Sequence, residues 1–322
     1  MKTMKAVLLN EKTDAKDIVL SEYPIPTVKP GWVLVRIHAF GLNHSEQILR
    51  YSEINAPYIN KPIIPGIECV GEIADASDTT FSVGQKVVAL MGGMGRSFHG
   101  SYAEYALLPA HHVFSVNSTL SWEHLAAVPE TYFTAWGSLF ECLHLEKNDK
   151  ILIRGGTCAL GYAAIQIAKA LGCEVIATTH KKSKLSLLQE CGVDIALEDD
   201  GTLIGKVRGI TKSLELVGAK TLCDTLLCME KNGIVCNTGV LGGAYTLNGF
   251  DPIKDIPNGV YLTGFFSNTP TQEAINQIFN FFNDHSLIPY VGKTYNFLEI
   301  AKACEDMDNG KVNGKIVIKV TE

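Results

Sequence analysis

The sequence predicts an α/β protein in two unlike parts, a β-rich region followed by a doubly wound parallel sheet. Three observations point there. The first part, to about residue 120, consists of short β-branched runs broken by Pro and Gly, such as WVLVRIHAFGLN, CVGEIADAS and GQKVVALMGG, the mark of short strands joined by turns. From Lys150 onward apolar strands alternate with helical stretches, as in a parallel sheet covered on both faces. Within that alternation, ILIRGGTCALGYAAIQIAKALGCEVIATT reads as strand, glycine turn, helix and second strand.

Taken in order, Ser121–Leu143 (SWEHLAAVPETYFTAWGSLFECL) is helical with an interruption at Pro129, because proline lacks the N–H that a helix interior needs. Strands are expected at Lys150–Ile153, Glu174–Thr178, Ile195–Leu197, Thr221–Asp224, Ile234–Thr238 and Tyr261–Phe265. Helices are expected at Gln272–Asn283 and Leu298–Asp308, and a last strand at Lys315–Val320. Repeats, low-complexity tracts and long linkers are absent from the sequence.

With 322 residues, 46% of them apolar and 19% charged, the chain has the composition of a globular protein with room for two domains. A net charge of -6 argues against a nucleic-acid partner. No apolar run reaches membrane-spanning length. The opening MKTMKAVLLNEK turns polar too soon for a secretory signal. Cytoplasmic residence is the expectation, with no membrane partner. The nine cysteines form no C-x-x-C pair and lie mostly in apolar segments, so they read as buried reduced thiols.

The glycine turn is the strongest local signal. Set against G-x-G-x-x-G it reads Gly156, Thr157, Cys158, Ala159, Leu160, Gly161, with Gly155 just before. The first glycine is expected to permit the tight turn and the last to let helix and strand pack closely. The middle glycine, which lets backbone approach a pyrophosphate, is here Cys158; a small side chain fits if the turn is slightly wider. The helix N-terminus still offers N–H groups and a favourable dipole to phosphate. After the second strand comes Thr179-His180-Lys181-Lys182-Ser183-Lys184. An NAD site places Asp or Glu there for the ribose hydroxyls. Hydroxyls and cations, with Thr179, His180 and Lys184 as candidates, suit a 2′-phosphate instead, so NADPH is expected over NADH.

Six segments, GLNHSEQILR, IPGIECVGEI, GSYAEYALLPAHHVF, TAWGSL, the glycine turn and NGKVNGKIVIKV, occur in the same order as in the medium-chain dehydrogenase/reductase superfamily. Across nearly its whole length the chain resembles the zinc-free quinone oxidoreductase branch. That resemblance implies a GroES-like β-rich catalytic domain, residues 1–120 with 285–322, and a Rossmann cofactor domain, residues 121–284, with a ligand cleft between them. It also implies a homodimer joined through the edge of the Rossmann sheet. In the superfamily's zinc enzymes a Cys stands where this chain has Asn43, a His where it has Ile67, and a third ligand near Glu130. Ile67 cannot coordinate and Asn43 is a poor zinc ligand, so no zinc is expected.

Without a Lewis acid the hydride acceptor must carry its own activation, as quinones and α,β-unsaturated carbonyls do. The resemblance places Asn43 and Thr134 beside the nicotinamide and substrate, and Tyr51 as a pocket residue or proton donor. His44 and Ser45 are further pocket candidates; His111 and His112 read as structural. By the same resemblance Gly239 and Val240 lie beside the nicotinamide end. Phe265, Phe266 and Ser267 hold its carboxamide through backbone, and Lys315 approaches the cofactor. The expected activity is NADPH-dependent reduction of a quinone or enone. The alternatives are a 2-alkenal or enone reductase, and an NADPH-binding redox sensor resting on Cys158 at a helix N-terminus.

Overall fold

The computed structural model describes residues 2–321. The chain divides into two compact units, residues 1–133 with 268–322, and residues 134–267. The sequence reading had placed these divisions near residues 120 and 284.

In the first unit β1 (Thr3–Val7) and β2 (Leu20–Pro24) form a hairpin, followed by β3 (Trp32–Gly41), α1 (His44–Tyr51), β4 (Glu68–Asp75), β5 (Lys86–Leu90), β6 (Tyr105–Pro109) and β7 (Val113–Ser115). β3 is the central strand. Val33, Val35, Ile37 and Phe40 are fully buried, and it pairs antiparallel with both β4 and β6. The helical run after Ser121 breaks into α2 (Trp122–Ala126) and α3 (Pro129–Trp136), then a π-helical turn, Gly137–Cys142. Pro129 interrupts as expected and begins the second helix, where its missing N–H costs nothing.

The second unit holds β8 (Lys150–Arg154), α4 (Ala159–Leu171), β9 (Glu174–Thr179), α5 (Leu185–Glu190), β10 (Ile195–Glu198), β11 (Ile210–Glu215), α6 (Leu222–Leu227), β12 (Met229–Asn237), α7 (Pro252–Asp255) and β13 (Tyr261–Gly264). Its six strands are all parallel, in the order β10-β9-β8-β11-β12-β13. The order reverses between β8 and β11, which is where an open α/β sheet binds its ligand. One strand departs from the sequence reading. Thr221–Asp224 is not a strand; Leu222–Leu227 is α6, and the strand is Ile210–Glu215. Lys212, Ser213 and Glu215 break the apolar run of ITKSLE, so it lacks the look of a buried strand. Burial is nonetheless tolerated because Ser213 donates to the Leu152 carbonyl (3.2 Å) and Glu215 is fully hydrogen-bonded. Leu222 and Leu226, four residues apart, form the buried face of a helix instead.

The chain then returns to the first unit through α8 (Gln272–His285), β14 (Val291–Asn296), α9 (Ile300–Asp308) and β15 (Lys315–Lys319). β15 pairs with β3 and extends its sheet to seven strands. The GroES-like unit thus takes its last two strands from the C-terminal segment. Among the described residues no helix is long and apolar enough to cross a membrane.

Candidate active site

In the first unit the end of β3 delivers Asn43 to a buried polar cluster. Asn43 caps α1 in extended conformation, and Glu46, three residues on, accepts its backbone N–H (2.8 Å), the reciprocal half of a capping box. The Asn43 side chain turns elsewhere. Its Nδ2 donates to Glu68 Oε1 (2.8 Å) and its Oδ1 accepts from Lys315 Nζ (2.6 Å). Lys315 is 2% exposed and pairs directly with Glu68, which is fully buried. Glu68 Oε2 accepts the Glu130 N–H (2.7 Å). A Cβ on Gly41 would overlap both the Lys315 side chain and the Glu68 carboxylate, so glycine at the end of β3 makes the space for this ion pair.

Glu46 completes the cluster. Its second oxygen accepts the Ile67 N–H (3.0 Å). Burial pushes its carboxyl up to about 7, against the lowering influence of Arg96 and with Glu68 adding to the rise. Ser45 is held by Arg96, whose guanidinium reaches the Ser45 hydroxyl (3.0 Å) and carbonyl (2.8 Å) and pairs with Glu53. His44 is exposed. The His111 and His112 rings lie tilted against each other with centroids 4.3 Å apart, and the His112 ring lies over Gly92.

Tyr51 stands apart from this cluster. It is 36% exposed, and its hydroxyl donates to Asp308 (3.0 Å), which also takes the buried Arg50 guanidinium (2.8 Å). Its proton is therefore engaged by a carboxylate on α9. Lys315, read from the sequence as a cofactor contact, has its ammonium committed to Glu68 and Asn43. Neither Glu46 nor Glu68 had been singled out. The signal was in the sequence, since both lie inside the quoted segments GLNHSEQILR and IPGIECVGEI.

The donor set does not suit a zinc ion. Ile67 is apolar and buried, the Asn43 amide oxygen is held by Lys315, and that lysine ammonium already supplies the positive charge that faces Glu68. Among the described residues no group of three or more His, Cys, Asp or Glu could hold a metal.

In the second unit the glycine turn joins β8 to α4. The left-handed residue is Gly155 (φ 92°), not Gly156 as the sequence reading had it; Gly155 makes the tight turn because only glycine takes that conformation freely. Gly156 donates its N–H to the Thr178 carbonyl (2.8 Å) and lies against Ala177 and Leu188. A Cβ on Gly161 would overlap the Gly156 backbone, so the last glycine serves the close packing expected of it. Cys158 is the helix N-cap and its Sγ accepts the Gly161 N–H (3.3 Å). The N–H groups of Ala159 and Leu160, in the first turn of α4, have no hydrogen-bond partner among the described residues. Orphan donors at the start of a thirteen-residue helix fit a phosphate.

The end of β9 lies beside this turn. The hydroxyls of Thr157 and Thr179 meet at 3.3 Å. Thr179 is buried, whereas His180, Lys181 and Lys182 are exposed and Lys184 is half-buried. Burial, aided by repulsion from Lys181, lowers the Lys184 pKa. None of the three lysines has a carboxylate partner among the described residues. Loop residues after β12 also reach the turn. The Leu241 side chain approaches Gly155, and Gly239 sits so close to the Leu216 backbone that a Cβ would not fit. Val240 lies between them. At the end of β13 the Phe265 ring covers Gly137, Phe266 is 79% exposed and Ser267 is buried. Thr134 is buried in α3 and its carbonyl accepts from Ser138, whose hydroxyl meets Thr238 at 2.9 Å.

Beneath the turn lies a buried charge network that sequence reasoning missed. Arg154, the last residue of β8, is fully buried. It grips Asp199 through two bonds (2.7 and 2.9 Å) and Asp224 through one (2.7 Å). Glu215 accepts the Val217 and Gly218 N–H groups (2.8 and 3.0 Å) and the hydroxyls of Thr221 and Thr225. This network fixes the ends of β8 and β11, the two strands that flank the switch point.

Comparison with known proteins agrees with this architecture. Residues 29–118 match the family described as alcohol dehydrogenase GroES-like domain, and residues 159–284 match zinc-binding dehydrogenase. The two matches together span more than half of the chain. The chain belongs to the medium-chain dehydrogenase/reductase superfamily. Within it the chain falls in the quinone oxidoreductase-like branch. It is 26% identical to the quinone oxidoreductase of Pongo abelii over 98% of both chains. The crystal structure of AibC superposes with a TM-score of 0.87 at 25% identity, covering 99% of this chain and 96% of that one. A mycobacterial member solved with NADPH superposes with a TM-score of 0.84 at 24% identity, covering 98% of this chain and 100% of the other. A medium-chain dehydrogenase/reductase of this kind is an oxidoreductase with a GroES-like unit and a Rossmann unit.

Proposed function

We propose that this chain is an NADPH-dependent reductase that works without zinc and reduces a quinone or another conjugated carbonyl. The observation that carries the reading is the end of β9, where unneutralised lysines and a histidine stand in place of the carboxylate an NAD site needs. The quinone oxidoreductase of Pongo abelii and the NADPH-bound mycobacterial structure support it.

The residues present fit the cofactor. The orphan N–H groups of Ala159 and Leu160 take the pyrophosphate, and the Gly155–Gly161 backbone comes close to it. Lys184 and His180 take the 2′-phosphate. Gly239, Val240, Phe265, Phe266 and Ser267 are assigned to the nicotinamide end. When bound, the dihydronicotinamide supplies a hydride. Asn43 uses one amide hydrogen on Glu68 and keeps the second for the acceptor's oxygen. Lys315 and Glu68 hold that amide in one orientation, so its donor is positioned before charge develops on the oxygen. Without a Lewis acid in the donor set, conjugation in the acceptor spreads that charge. The final proton comes from solvent, since Tyr51 is held by Asp308. Reduction of a 2-alkenal or enone uses the same parts.

Lys184→Ala tests the cofactor assignment. A charge-assisted contact is worth about 1.5–3 kcal/mol, so NADPH binding should weaken at least about tenfold by calorimetry while NADH binding stays the same. Equal weakening of both would remove Lys184 from the 2′-phosphate site.

We further propose that a second copy joins along β13, the open edge of the Rossmann sheet, where Tyr261 and Phe266 are exposed. Sedimentation at micromolar concentration should give a dimer, and a double Lys substitution at Tyr261 and Phe266 a monomer. A wild-type monomer would overturn it.

A further inference from the structure

The π-helical turn and β12 bring two cysteines together. The Cys142 thiol lies on the last residue of the turn, half-exposed, with its Sγ 3.6 Å from the Gly264 carbonyl. The Cys236 thiol is buried on β12 and contacts the Thr238 hydroxyl (3.3 Å), which itself meets Ser138, one turn before Cys142. In register, Cys236 pairs with Thr263 of β13, the residue next to Gly264. The two cysteines thus lie side by side over the ends of two neighbouring parallel strands. All nine cysteines are free thiols.

We propose that Cys142 and Cys236 form a peroxide-oxidisable dithiol site that closes to a disulfide. The asymmetry of the pair sets the order of events. Cys142 is reached by solvent, whereas burial pushes the Cys236 thiol up to about 12 and keeps it protonated. Hydrogen peroxide therefore reacts first at Cys142. The sulfur takes one peroxide oxygen to become a sulfenic acid, the O–O bond breaks, and one water leaves. The Cys236 sulfur then attacks the Cys142 sulfur. The S–S bond forms as the S–O bond breaks, and the Cys236 proton leaves with the hydroxyl as a second water. In balance, two thiols lose two electrons and two protons, and one hydrogen peroxide becomes two waters.

The bond would tie the π-helical turn to β12 and withdraw the Cys236 sulfur from Thr238. Thr238 is hydrogen-bonded to Ser138, which bonds the Thr134 carbonyl, and it directly precedes Gly239. Oxidation would therefore act on the segment that the sequence reading assigns to the nicotinamide end.

The test is a peptide map of the full-length protein after stoichiometric hydrogen peroxide, digested without reductant. The expected product is a linked pair of peptides carrying Cys142 and Cys236, lighter by two hydrogens and separated again by dithiothreitol. Cys236→Ser should instead leave a sulfenic acid on Cys142 that dimedone traps, and Cys142→Ser should abolish the link. Recovery of Cys142 and Cys236 on separate peptides after peroxide treatment of the folded wild type, with Cys142 unmodified or overoxidised, would overturn the proposal.

Discussion

In the second unit the Arg154 guanidinium meets two carboxylates directly, whereas in the first unit the Glu46 carboxylate meets, among the described residues, only backbone N–H groups. Both networks are buried, yet Asp199 and Glu46 shift in opposite directions. Burial pushes Asp199 up, but its hydrogen bonds with Arg154 outweigh that and hold it below its ordinary value. Burial pushes Glu46 up to about 7, because Arg96 and Lys315 act on it only from a distance while Glu68 repels it. Direct contact with a counter-charge decides the sign. The Rossmann unit thus holds one buried carboxylate, Asp199, below its ordinary value. The GroES-like unit has a carboxyl that titrates near neutrality beside Asn43.

The largest expected effect would break the scaffold side of this contrast. Arg154→Met leaves Asp199 and Asp224 without their shared cation. Removing one partner of a buried ion pair costs about 3–5 kcal/mol, which should appear as a lower urea midpoint. An unchanged midpoint would mean that the network is relieved by solvent and fixes nothing.

Next in size is the pH dependence from Glu46. Its unfolded value is 4.5 and its folded value about 7. Between the two, the folded chain holds a proton that the unfolded chain has lost. Stability from this group is therefore greatest below 4.5 and falls as pH rises toward 7, by roughly 3 kcal/mol. Asp199 works with the opposite sign. Its contribution is complete above the ordinary carboxylate range and is lost as pH falls through its lowered folded value. Glu46→Gln should flatten the pH dependence of stability between about 4.5 and 7 and leave the acid limb in place. A wild-type profile with no decline in that window would show that Glu46 titrates normally.

The smallest effect sharpens the site. Asn43→Ala removes the positioned amide donor, so kcat/KM should fall about tenfold, the value of one hydrogen bond, with cofactor affinity unchanged. A matching loss of cofactor affinity would move Asn43 from substrate to cofactor.

The Rossmann sheet was legible because its strands are apolar runs and its turn is a chain of glycines with steric reasons. β11 was not, since Lys212, Ser213 and Glu215 look wrong for a buried strand until their partners are seen. The position of the tight turn was off by one residue because Gly155 and Gly156 are adjacent and only backbone conformation tells them apart. Asn43 and Lys315 were candidates through the resemblance. Their pairing with each other and with Glu68 was not legible, because the three residues come from separate segments and the pairing exists only in the fold. The same holds for Arg154, whose two aspartates lie 45 and 70 positions along the chain.

The most direct test of the account is NADPH oxidation by the purified protein in excess chelator. It would be followed through loss of reduced-nicotinamide absorbance, with a para-quinone, an ortho-quinone and a 2-alkenal offered in parallel and NADH as the control. The account predicts steady turnover of at least one of these acceptors with NADPH, undiminished by chelator and slower with NADH. Turnover that chelator abolishes and zinc restores, or equal rates with the two cofactors, would contradict it.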